Sequence, residues 1–197
     1  MDSNLKGHDW NFWMWWVAFT AVASTACFVI IGLAFFWLNL PFAEKSEALQ
    51  PTFIDQVTGS LFFALAGAAI ACGQWLALRM IMPRSARWIL AGGAGWLAGY
   101  WSYLLVYGVA TGLLHPTLLQ LLPWLIIGLW SGLFQWLFLR RHYPRADIWL
   151  PVSLLAILIG AGGWIVGSIF GGTFSWAAAG AITGYTLLRF EAIRLES

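Results

Sequence analysis

Apolar residues follow one another in long runs along this chain, broken by short polar, basic or glycine-containing connections. About 18 to 20 apolar residues in a helix cross a ~30 Å hydrocarbon layer. On that scale the runs predict membrane-spanning helices over 12–38, 57–80, 88–108, 117–139, 148–170 and 173–188. The last run is the shortest, so five crossings with a re-entrant final segment is the alternative to six. The pattern describes an all-α, polytopic membrane helix bundle forming one transmembrane domain over residues 1–197.

The connections alternate in charge. Arg79, Arg84 and Arg87 surround the second break, Arg140, Arg141 and Arg145 the fourth, and Arg189 and Arg194 close the chain, with Lys6 ahead of the first run. Of the ten Lys and Arg residues only Lys45 falls on the other face, beside Glu44, Glu47 and Asp55. Its other connections are a His115-Pro116 turn and a Gly171-Gly172 turn. Basic loops stay in the cytoplasm, which places both termini there. An even number of crossings demands the same. The first run is too long for the apolar part of a secretion signal and is read as retained. The connection over 39–56, bracketed by Pro41 and Pro51, is read as a solvated linker, with a lid or partner contact as the alternative.

Composition agrees with a lipid setting: 61% of residues are hydrophobic and 9% charged, where a soluble domain carries about 25% charged residues. A net charge of +2 gives no reason to expect nucleic acid as a partner. Cys27 and Cys72 lie inside apolar runs and read as packing residues. Eight of the 15 tryptophans (Trp10, Trp13, Trp15, Trp16, Trp75, Trp88, Trp136 and Trp149) stand near the basic ends of runs, where an aromatic belt at the membrane boundary is expected.

One motif repeats. Gln74-Trp75-Leu76-Ala77-Leu78-Arg79 returns as Gln135-Trp136-Leu137-Phe138-Leu139-Arg140, with Gly67 matching Gly128, Pro83-Arg84 matching Pro144-Arg145, and Trp88 matching Trp149. Further on, Gly95-Trp96 with Gly99 reappears as Gly163-Trp164 with Gly167. A degraded copy ends in Gly184-Tyr185-Thr186-Leu187-Leu188-Arg189. The repeat-like units cover about 57–110, 117–170 and a truncated 173–190, and the first run has no counterpart. Within each unit a small residue, a second small residue and the glutamine stand at i, i+4 and i+7, on one helical stripe. Gln74 and Gln135 are therefore expected to hydrogen-bond between helices; the alternative is that they line a shared cavity or offer an amide oxygen to a ligand. Arg79, Arg140 and Arg189 are expected to anchor the cytoplasmic interface by snorkelling.

These repeated helix endings, each followed by a basic turn and a Gly-Trp helix, resemble a family of uncharacterised bacterial multi-pass membrane proteins. The likeness covers 67–99 and 128–167 and implies a helical membrane fold in a bacterial inner or internal membrane. It supplies no substrate and no catalytic residue.

Every acidic and basic residue is assigned to a loop, a terminus or a helix end, so the mark of ion-coupled pumps is missing from the runs. His8 and His142 belong to one face and His115 to the other. Ser102, Ser131, Ser168 and Ser175 have no histidine near them in sequence. No catalytic residue, metal ligand or cofactor site is expected, and the chain reads as non-enzymatic. The best candidate for a ligand is the stripe Trp96, Tyr100, Tyr103 and Tyr107, with His115 near its mouth, suited to a small apolar or aromatic molecule; ordinary packing is the competing reading. Three functions follow. The chain is an accessory, assembly or binding subunit of a membrane complex, with protein partners in the bilayer or copies of itself. Alternatively it captures a substrate for an importer; vitamin-binding subunits of energy-coupling-factor transporters are similar in size and helix count, although the first run has no Ala-x-x-x-Ala pair. A third reading is a protein that binds lipid, quinone or pigment.

Overall fold

The computed structural model describes residues 3–37, 53–166 and 169–196. It contains six helices: α1 (Ser3–Trp37), α2 (Phe53–Leu78), α3 (Arg87–Ala110), α4 (Pro116–Leu139), α5 (Trp149–Val166) and α6 (Ile169–Glu196). A turn of 3-10 helix at Ala146–Ile148 leads into α5, and no strand occurs among the described residues. Helices α1 to α5 each contain a stretch long and apolar enough to cross a membrane. The connection with Glu44, Lys45 and Glu47 lies outside the described residues, as do Gly167 and Ser168. The side chains of Lys6, His8, Asp55, Trp164 and Arg194 also lie outside what is described.

The final run differs from its expected form. Instead of a short segment over 173–188, α6 is a continuous helix of 28 residues. Gly171 and Gly172 belong to this helix and not to a turn, and Phe170 belongs to α6 rather than to the fifth span. The physical reason is close packing. A Cβ on Gly163 of α5 would lie 2.6 Å from the carbonyl oxygen of Gly171, so the glycines serve helix contact and not chain reversal.

Each helix packs on its sequence neighbours, and α6 returns to pack on α1, closing a ring of six. Trp16 meets Thr183 while Thr25 meets Thr173, so α1 and α6 run antiparallel. Small residues let the backbones approach. A Cβ on Gly67 would fall 2.6 Å from the carbonyl oxygen of Gly92, and one on Gly95 would fall 2.6 Å from Ser131 Cα.

The interior has two levels. One contains Trp16, Trp88 and Trp149 with Phe12, Leu78, Leu139, Tyr143, Leu187 and Phe190. The other is built around Trp96, Trp176, Ile127 and Ile157, with Phe28, Phe63 and Trp124 packed against it. This corrects the expected boundary belt for three residues. Trp16, Trp88 and Trp149 are at most 1% exposed and form part of the core, while Trp10 and Trp15 remain on the surface. Their indole N–H groups find partners inside the ring, which removes the need to reach water.

Candidate functional site

Two hairpins share one local design. The chain leaves α2 at Leu78 and α4 at Leu139, and the first turn closes with the same bond in each: Met82 N–H to Leu78 O at 2.8 Å, Tyr143 N–H to Leu139 O at 2.9 Å. Pro83 and Pro144 follow, where a missing N–H stops the helix from continuing. The next helix then returns with a tryptophan opposite the glutamine. Trp88 Nε1 donates to Gln74 Oε1, and Trp149 Nε1 to Gln135 Oε1, each at 3.1 Å across 14 residues.

Helices α6 and α1 make a third bond of this kind. Trp16 Nε1 donates to Thr183 Oγ1 at 2.9 Å, and Thr183 in turn donates to Ala179 O at 2.9 Å. In the degraded copy the glutamine's place is held by Gly184, where a Cβ would lie 2.7 Å from Trp16 Cδ1. Thr183, one residue earlier, supplies the acceptor. The three indoles also touch: Trp88 lies edge-on to Trp16 at 5.9 Å and to Trp149 at 5.6 Å between ring centroids. Thus α1, the run without a counterpart in sequence, contributes the third tryptophan.

Beside this aromatic layer the ring leaves a cavity of about 40 Å³, lined by residues of all six helices. Its polar lining is Thr20, Gln74, Ser131, Gln135, Ser153 and Thr183, and no charged side chain lines it. On the other side Phe28 stacks on Trp176 at 6.0 Å and meets Trp96 and Trp124 at 6.4 and 5.8 Å. The cavity therefore sits between two layers of rings.

The aromatic stripe of α3 divides along its length. Trp96 and Tyr100 are buried, with Phe63 stacked on Tyr100 at 4.8 Å. Trp96 lines the axial cavity. Tyr103 and Tyr107 lie 5.2 Å apart, and Tyr107 is exposed. His115, beyond the end of α3, is exposed as well. The three anchor arginines are exposed and occupy like positions: Arg79 lies over Trp75 at 5.6 Å, Arg140 over Trp136 at 4.8 Å and Arg189 over Tyr185 at 6.0 Å. Cys27 and Cys72 are free thiols, half-buried in α1 and α2. Among the described residues no group of His, Cys, Asp or Glu is arranged to hold a metal.

Neither a protein-family model, nor a curated protein, nor a solved structure matches this chain. Gln74 and Gln135 both line the axial cavity, as their alternative reading had it, while Thr20, Ser153 and Trp176, which help complete it, belong to no shared motif and were missed. The signal for its aromatic wall was present, in the equal 14-residue spacing of Gln74–Trp88 and Gln135–Trp149.

Proposed function

We propose that this chain is a non-catalytic accessory or assembly subunit of a membrane complex, embedded by six crossings with both termini in the cytoplasm of a bacterial cell. The turns after α2 and α4 carry Arg79, Arg84, Arg87, Arg140, Arg141 and Arg145. The end of α6 reaches the same side, since Tyr143 donates to Glu191 Oε2 at 2.9 Å and packs on Phe190. That clustering supports the orientation through the positive-inside rule. The full length of α6 and its place in the ring support the sixth crossing.

One observation carries the subunit reading. Residues 105–109 of α3 are exposed one after another, on every face of the helix. Leu105 is 80% and Val109 67% exposed, and Tyr107 lies between them. A helix end that the described residues leave exposed and that presents leucine, valine and tyrosine suits a second helix packing against it. The axial cavity supports capture of a vitamin, quinone or pigment less well. At about 40 Å³ it is far below the roughly 300 to 1,000 Å³ that such ligands occupy.

A photo-reactive amino acid at position 105, in native membranes, tests the proposal against the same probe at Leu61, an exposed residue of α2. The expected result is a discrete adduct with another polypeptide from position 105 and lipid adducts from position 61. An adduct of two copies of this chain assigns the surface to self-association instead. Lipid adducts alone at both positions sink the subunit reading.

A further inference from the structure

We propose that the axial cavity is an internal hydration site, holding about two or three water molecules between the two aromatic layers. A water needs roughly 10 to 15 Å³ of such space and two to four polar partners. The cavity offers about 40 Å³, so at the upper end of that requirement two or three fit.

The lining asks for them. Thr20 Oγ1 and Trp176 Nε1 are buried, the residues being 2% and 3% exposed, and neither atom has a hydrogen-bond partner among the described residues. Both residues line the cavity. An indole N–H only donates, so Trp176 requires an acceptor. Gln74 and Gln135 spend their amide oxygens on Trp88 and Trp149, and the NH₂ groups that remain are donors too. Donors thus approach the chamber from α2, α4 and α6, and the Thr20 hydroxyl of α1 can both give and receive. Water answers all of these because it accepts twice and donates twice. An anion would satisfy the donors, but it would be taken out of water with no positive side chain lining the cavity, which is costly. An apolar guest would leave every one of these groups unpaired.

The space itself comes from small side chains. Gly67, Ala71 and Gly92 line it, where bulkier residues would fill the gap. Trp16, Trp88 and Trp149 pack on the side of the arginine-bearing turns, and Phe28, Trp96, Trp124 and Trp176 on the other.

Crystals of the full chain grown from a lipid phase, with parallel xenon pressurisation and bromide soaks, test the assignment. Expected are two or three ordered waters, one within hydrogen-bond distance of Trp176 Nε1 and one of Thr20 Oγ1, with neither xenon nor a bromide anomalous peak in the chamber. Thr20→Val should lose one of these waters while the helices stay in place. In solution the Trp176 indole proton, assigned through Trp176→Phe, should show cross-relaxation with water. The Trp88 and Trp149 protons, held by glutamine, should show it weakly or not at all. This measurement on the unaltered protein stands even if a variant fails to fold. Xenon in the chamber overturns the proposal by showing it dry, and a bromide peak overturns it in favour of an anion site. An indole proton of Trp176 without a water signal overturns it as well.

Discussion

A buried indole is mostly hydrocarbon with a single hydrogen that has to be received, and Gln74, Gln135 and Thr183 each receive one here. Removing an acceptor strands the donor, whereas removing both members leaves only a change of packing. Gln135→Leu is accordingly expected to destabilise the protein by about 1 to 3 kcal/mol, and values near the lower end are usual in membranes, where the unfolded helices also find partners. In a Trp149→Phe background the same substitution should cost much less. Unfolding in mixed detergent, run as a double-mutant cycle, checks this; equal costs in both backgrounds would show that the 3.1 Å bond contributes nothing. Thr183→Val should behave likewise with Trp16→Phe.

Between helices the decisive quantity is how near two backbones come. A Cβ at Gly95 would lie 2.6 Å from Ser131 Cα and 3.1 Å from Trp130 O, backbone atoms that cannot swing aside. Gly95→Ala should therefore push α3 from α4 and cost about 1 to 3 kcal/mol, as overpacking generally does. Gly162→Ala meets nothing within 4 Å and is expected to be neutral or slightly stabilising. Thermal inactivation of the two variants side by side distinguishes them, and matching midpoints would refute the contact. This scale also shows what the sequence made legible. The apolar runs at 57–80, 88–108 and 117–139 correspond closely to α2, α3 and α4, because continuous hydrophobicity is a direct record of helix length in lipid. Gly171 and Gly172 misled, since the same residue type serves turns and tight helix contacts and composition does not separate the two uses. Trp88 and Trp149 were visible as matched positions. Whether they faced lipid or core depended on Gln74 and Gln135, which lie 14 residues away across a turn. The cavity-lining Thr20 and Trp176 were illegible, because only the closing of the ring brings α1 and α6 together.

At the level of the whole molecule the ring joins the two ends of the chain. Antiparallel packing of α1 on α6 sets Ser3 and Glu196 toward the same side, about 20 Å beyond Trp16 and Thr183 at 1.5 Å per residue. A circular permutant, with residues 196 and 3 joined by a short flexible linker and the chain opened within 38–52, is expected to fold with Trp16, Trp88 and Trp149 still packed. Near-ultraviolet circular dichroism of the purified permutant should overlay that of the original order; a flattened tryptophan signal would contradict the closed ring. In the original order, Trp16 emerges from the ribosome 167 positions ahead of Thr183. During synthesis the first helix must wait in the membrane with its indole hydrogen unmatched until Thr183 of α6 has been made. Biogenesis is then committed only when α6 arrives, and a nascent chain halted before that helix would carry an open seam that membrane chaperones and proteases can recognise.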